Sequence, residues 1–324
     1  MPLARRIVCS APARANLIGN PSDQYGGTTL GVSLPPRAWA VLDAREPGRI
    51  DGAPEIARAV LEQLGFGRPD FGIFLATEIP RQSGIAGSTA LVVALLRAVL
   101  TWQGRSLSGY ALAELARSVE RERMGVQCGY SDQYLCSFGG LRHLDLRGKR
   151  FDADGGPFAT VEDLSGEVRE LPFVVAYTGV QHSSDAVHRP IRERWRVGEP
   201  DVVAAYERIA EIGVLGKSAL QRGDWPAFGR LMNENHALQR ALGGSGPANE
   251  VLIEAALAAG APGAKLAGAG GGGTIVALDA GLTAGALEAA LRAAGAAVLY
   301  RPVLAPGVQL EPVDATLPPA GGLL

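Results

Sequence analysis

Short apolar runs broken by turn residues open the chain. "RRIVCSAPA", the cluster "GNPSDQYGG", "TTLGVSL" and "RAWAVLDA" together make a strand, turn, strand pattern. From Pro54 the period changes. "PEIARAVLEQLG" spaces its apolar residues as a helix with Gly65 at its end, and "FGIFLATEI" alternates as a strand. "PRQSGIAGSTALVVALLRAVL", residues 80–100, then passes from a loop of small residues into an apolar helix with no charge before Arg97. "SLSGYALAELARSVERERMG" reads as one helix capped by Ser108 and stopped by Gly125, and "CGYSDQYLCSFGGLRHLDL" as turn, short helix and strand.

Residues 147–168, rich in Gly, Asp and Arg, read as a polar hairpin or connector, so two domains are expected, 1–168 and 169–324. The second half opens with the strand "ELPFVVAYTGV" and continues through helices near 184–196, 201–222, 224–241 and 248–259. It then returns to "GAKLAGAGGGGTIVALD", a helix at 283–294, the strand "AAVLYRPV" and a Pro/Gly-rich tail expected to be loosely held. Both halves mix helices with antiparallel-looking strands, so the fold class is α+β.

Composition narrows the partners. The formal net charge is −2 with no basic block, which lacks the footprint of a nucleic-acid binder and favours a small-molecule partner. Cys9, Cys128 and Cys136 are odd in number and lack metal-ligand spacing, so neither a disulfide framework nor a zinc site is expected. The apolar stretch after Arg5 and Arg6 is too short for a signal peptide, and no uncharged apolar run is long enough to span a membrane. The expected location is the cytoplasm.

Several motifs are decoys. "GAGGGG" at 268–273 fits GxGxxG literally, but a helix precedes it and the strand "TIVAL" follows, the reverse of a dinucleotide-binding turn. "GKS" at 216–218 lies within a helical pattern and lacks the first glycine of a Walker loop. His143, His182, His188 and His236 form no i,i+4 pair, and no GxSxG elbow occurs. Ser83 to Thr89 remains: a strand-to-helix turn, or a cradle where backbone N–H groups and the helix dipole meet an anion.

Read together, "PARANLIGNPSDQYGG", "PRQSGIAGSTA" and "KLAGAGGGG" resemble in order and spacing the three motifs of the GHMP small-molecule kinase superfamily. "VERERMGVQCGYSDQYLCSFGG" resembles its catalytic-aspartate segment, and the resemblance covers almost the whole chain. It implies a ribosomal S5 domain 2-like N-terminal domain, a ferredoxin-like C-terminal domain, and ATP with Mg²⁺ in the cleft between them. The nucleotide would lie on Pro80, Ser83, Gly84, Ile85, Ala86, Gly87, Ser88 and Thr89, which depart from the usual GLGSSA. Ser88, or Thr89 if the register slips by one, would put its hydroxyl on the metal beside Glu120. Asp132 would take the acceptor proton, with Arg14 stabilising developing negative charge.

The acceptor is implied more narrowly. Asp23 matches the carboxylate that binds sugar hydroxyls in galactokinase-like members, with Asn20 and Tyr25 beside it and Gly268, Ala269 and Gly270 opposite. "GNPSDQYGG", "IPRQSGIAGS", "SSDAVHRPIRERW" and "LMNENHALQRAL" are similar to glucuronokinase segments, which implies phosphorylation of D-glucuronate at its anomeric hydroxyl. A uronate carboxylate would be clamped by arginine, with Arg81, Arg189, Arg192 and Arg194 the candidates. Ala186 and Val187 stand where the glucuronokinase pattern has Gly and Lys. Galacturonate, galactose and a heptose phosphate therefore stay open as acceptors, as does a sugar-sensing protein without catalysis.

Overall fold

The computed structural model describes residues 5–152, 156–168, 170–181, 184–268 and 270–318, so the candidate Ala269 and His182 lie outside the described residues. Two long antiparallel strands, β1 (Arg6–Ile18) and β2 (Thr28–Asp43), form the spine of the first lobe. The separate strands expected at "TTLGVSL" and "RAWAVLDA" are one strand, because β1 pairs on both sides of a bulge opposite Pro35 and Pro36. β3 (Ile50–Asp51), α1 (Pro54–Gln63), β4 (Gly72–Thr77) and α2 (Gly87–Trp102) follow, then α3 (Gly109–Ser118), α4 (Ser131–Phe138), β5 (Leu141–Asp145) and β6 (Thr160–Asp163). α2 is buried on nearly every side against β1 and β2, which accounts for its uniformly apolar run.

The second lobe runs β7 (Phe173–Tyr177), α5 (Ser184–Arg196), α6 (Pro200–Gln221), α7 (Trp225–Ala241), α8 (Pro247–Ala258), β8 (Ala264–Leu266), β9 (Thr274–Leu278), α9 (Ala286–Ala293) and β10 (Val298–Tyr300). Its sheet has the order β10-β7-β9-β8 with every pairing antiparallel, the βαββαβ arrangement of a ferredoxin-like domain. The lobes meet where α6 packs on β2. There the Thr28 hydroxyl donates to the Ala210 carbonyl at 2.8 Å, and a Cβ on Gly213 would fall 2.4 Å from the Thr28 carbonyl oxygen. Among the described residues no helix is long and apolar enough to cross a membrane.

The tail departs from expectation. Instead of lying loosely in the second half, it returns to the first lobe, where β11 (Gln309–Glu311) pairs antiparallel with the edge of β1. Ser33 donates its hydroxyl to the Val303 carbonyl at 2.7 Å, and Gly307 sits so close to Ser137 that a Cβ would meet its carbonyl oxygen at 2.1 Å. The Arg37 guanidinium fastens this strap through the carbonyls of Pro306 at 3.1 Å and Gly307 at 2.9 Å and the Ser10 hydroxyl at 2.7 Å. Backbone hydrogen bonds to a distant strand carry no local sequence signal, so a Pro/Gly-rich composition hides them. Arg37→Ala is expected to lower stability by about 1–3 kcal/mol, because carbonyls lose their donors where they are partly buried. Urea unfolding would read this as a lower midpoint at unchanged slope.

Candidate active site

Between β4 and α2 the chain makes the small-residue loop. Ile79 and Ile85 anchor it in the core, and the Ser83 hydroxyl closes it on the Pro80 carbonyl at 2.7 Å. Gln82 and Ala86 both take positive φ, at 52° and 66°, a conformation costing about 1–2 kcal/mol for a residue with a Cβ. Such strain persists only where surrounding contacts enforce it. The result is a helix N-terminus at Gly87 that opens onto a cleft of about 710 Å³, with Ser88 exposed on its wall. Free N–H groups and the dipole of α2 suit this end to phosphate.

The third glycine-rich stretch buttresses this loop. A Cβ on Gly268 would lie 2.6 Å from the Gly84 carbonyl oxygen, and the Thr274 hydroxyl donates to the Ser83 carbonyl at 2.6 Å. Gly270 turns at positive φ so tightly that a Cβ would strike the Gly244 carbonyl at 1.8 Å. Gly268 serves close backbone approach between the lobes, and Gly270 serves it within the second lobe.

Arg14 joins the parts. The β1–β2 register shifts between Pro12 and Arg14, a bulge that re-aims the side chain into the cleft. Its guanidinium is buried, donating to the Gly84 carbonyl at 2.8 Å and, through Nε at 2.8 Å, to Asp132 Oδ1, which Nη2 also reaches at 2.6 Å. Asp132 keeps a third of its side chain exposed to the cleft. It stands in the first turn of α4, whose N-terminus is held by Asp23: Oδ2 accepts the N–H groups of Tyr130 at 3.0 Å and Ser131 at 3.1 Å. Gly129 permits this approach, since a Cβ there would lie 2.0 Å from the same oxygen. Asp23 thus caps α4 with one oxygen while lining the cleft.

Glu120 comes from a local distortion. The single helix expected through "ARSVERERMG" ends at Ser118 and widens into a π-turn over Val119–Arg123, with the Met124 N–H reaching the Val119 carbonyl at 3.1 Å. The extra residue rotates Glu120 inward, whereas an unbroken "ERER" helix would leave it solvated. Its Oε1 accepts the Thr89 hydroxyl at 2.8 Å and its Oε2 accepts Gln133 Nε2 at 2.5 Å. Burial pushes the carboxyl up to about 7 against the pull of the Gln133 and Thr89 hydrogen bonds. A divalent cation fits this donor set. Glu120 and the Ser88 hydroxyl offer hard oxygens beside a helix end suited to phosphate, and Mg²⁺ is commonly held by one or two protein oxygens with substrate phosphates. Among the described residues no group of three or more His, Cys, Asp or Glu could cage a metal unaided.

The cleft is also lined by the candidates Asn20, Pro80, Arg81, Ser83, Gly84, Thr89 and Gly268. Asn20 is already committed, its Oδ1 accepting from the buried Lys265 Nζ at 2.5 Å. Arg81 is exposed, with no ion pair among the described residues. Ile85, Tyr25, Arg189, Arg192 and Gly270 are not on the wall. Tyr25 packs on Tyr206 with ring centroids 4.0 Å apart, and burial pushes its hydroxyl up to about 12. Arg192 is buried and paired to Asp185, Arg189 is 3.9 Å from that same carboxylate and largely exposed, and Arg194 binds Glu199. Sequence reasoning passed over Gln24, Gln133 and Asp185, and also Gly52, Glu55 and Leu75 at the far end of the cleft. Gln133 is placed by the π-turn that brings Glu120 beside it, and Asp185 faces Arg192 two turns along the same helix, so neither belongs to a motif.

Burial raises the Asp23 carboxyl from its ordinary value near 3.8 to about 6, although the two backbone N–H groups pull it down. The raised value means that the stability Asp23 contributes in acid is lost as pH rises through 6. Asp23→Asn keeps an oxygen for the α4 N–H groups without a charge, so thermal melts at pH 5 and pH 8 are expected to show a larger fall for the parent than for the variant. Equal falls would exclude ionisation of Asp23 as the source.

The chain is similar to known proteins in sequence and in fold. A model of the GHMP kinase N-terminal domain matches residues 53–140, and one of the GHMP kinase C-terminal domain matches residues 217–298. A protein named probable glucuronokinase 2 from Arabidopsis thaliana is 27% identical over 80% of this chain and 81% of its own. A mevalonate kinase from Thermococcus onnurineus is 28% identical over 83% and 88%. The crystal structure of Lactococcus lactis galactokinase complexed with galactose superposes with a TM-score of 0.77 at 20% identity, over 94% of this chain and 95% of that one. With both domain models matched in order and the two-lobed fold shared, the chain belongs to the GHMP kinase family.

Proposed function

We propose that this protein transfers the γ-phosphoryl group of ATP to the anomeric hydroxyl of a uronic acid, D-glucuronate in particular, with Mg²⁺ as cofactor. The observation that carries the reading is the separation of the candidate base from the phosphate loop by one guanidinium: Arg14 bonds Asp132 and the Gly84 carbonyl together. The first motif, the "PRQS" flank and the similarity to a protein named glucuronokinase support the acceptor.

In this reading the N-terminus of α2 and the loop from Ser83 to Thr89 hold the triphosphate, and Ser88 and Glu120 hold the metal. A metal held there would supply positive charge against the transferring group. Asp132 orients the acceptor hydroxyl and receives its proton, and Arg14 steadies that carboxylate while placing positive charge beside the transferring group. The second oxygen of Asp23 and the Gln24 amide suit hydroxyls of the acceptor. Arg81 is the cation lining the cleft that no carboxylate engages among the described residues, which suits it to the uronate carboxylate.

One observation favours a second reading, a neutral sugar as acceptor. Asp23, Asp132 and Asp185 all line the acceptor end, and Asp185 already occupies Arg192. ADP release measured with glucuronate, galacturonate, their neutral counterparts and a heptose phosphate distinguishes the two. Turnover is expected on uronates, and turnover on neutral sugars alone would replace the first reading with the second. Asp132→Asn is expected to lower kcat by about 10²–10⁴-fold with ATP affinity within twofold of the parent. A variant of full activity would remove Asp132 from the base role, and a parent with no turnover on any sugar would favour a sugar sensor.

A further inference from the structure

Gln133 follows Asp132 in the first turn of α4 but points the other way, away from the acceptor and into the wall that carries Glu120. It is 1% exposed, and its Nε2 donates to Glu120 Oε2 at 2.5 Å and to Cys128 Sγ at 3.4 Å. Its Oε1 has no partner. Ionised, Glu120 offers only acceptor lone pairs to a neutral amide, so the amide turns its nitrogen to it, and the unpartnered oxygen is the cost of that orientation. The other oxygen of Glu120 is gripped by Thr89 in the first turn of α2. Two donors from two helices, one on each oxygen, leave the carboxylate a single plane.

We infer that Gln133 is a positioning residue for the metal: its amide fixes the Glu120 carboxylate so that one face stays presented to a divalent cation at the N-terminus of α2. Asp132 and Gln133 are consecutive, so one turn of helix sets both the acceptor base and the metal carboxylate. A shift of α4 would move both together. The inference rests on the proposed reading only where that reading puts a nucleotide-bound metal at Glu120, and it is independent of the acceptor.

The test needs no acceptor and no turnover. Calorimetry gives the affinity for the non-hydrolysable nucleotide AMP-PNP with and without Mn²⁺, and the ratio measures what the metal adds. Gln133→Met keeps the side-chain length and removes the donor. It is expected to lower that ratio by about 10–100-fold, the usual effect of losing a partner of a metal ligand, with affinity for metal-free AMP-PNP within twofold of the parent. Gln133→Asn, polar but too short to reach, is expected to do the same and serves if the Met variant does not fold. In a Glu120→Gln background neither substitution should change the ratio further. A folded Met or Asn variant with the parent's ratio overturns the inference. A parent whose AMP-PNP affinity is indifferent to Mn²⁺ overturns the metal reading at Glu120 and the inference with it.

Discussion

One buried guanidinium holds the catalytic half of this protein in shape. Removing a cation from water is tolerable only where every side of it meets an acceptor, and Arg14 meets Asp132 on one side and the Gly84 carbonyl on another. The side chain is therefore a tie between three elements: the bulged strand β1, the loop before α2, and the first turn of α4. Remove the tie, and the loop loses the constraint that helps to hold Ala86 and Gln82 in their left-handed conformation.

Around that tie the polar contacts form a continuous series. Asp23 seats the N-terminus of α4, α4 presents Asp132 and Gln133, Gln133 and Thr89 grip Glu120, and Thr89 belongs to the first turn of α2. Apart from Asp132, a third of whose side chain opens to the cleft, each side chain is buried, and each has its partner supplied by a different stretch of chain. Partly satisfied buried networks are costly, so such a series holds its geometry as a unit. Glycines at 129 and 268 make room for it by letting backbone and carboxylate approach within distances that a Cβ would block.

What was legible in the sequence follows from how local its cause is. The apolar run of α2, the cap at Ser108 and the helices of the second lobe are written in neighbouring residues, and their limits fall within a few positions of expectation. Ser88, Glu120, Asp132 and Arg14 were named from motif order, and they do converge on one cleft. The inward turn of Glu120 could not be read, because "ERER" has the composition of a solvated face and only the π-turn rotates it. Nor could the double duty of Asp23, since the N–H groups it accepts lie more than a hundred residues away and only the fold delivers them. Gln133 had a faint signal, an amide directly after the candidate base, which means little until Glu120 is beside it.

The strap has a consequence in time as well as in space. Ser10 and Glu311 are 301 positions apart, yet they meet at the edge of the first sheet. A ribosome makes the N-terminal residues first, so β1 remains an open edge, with unpaired N–H and C=O groups, until the second lobe has been translated and has delivered β11. The hazard of this fold is thus greatest during synthesis, when the nascent chain presents a long apolar strand with its protective neighbour still to come.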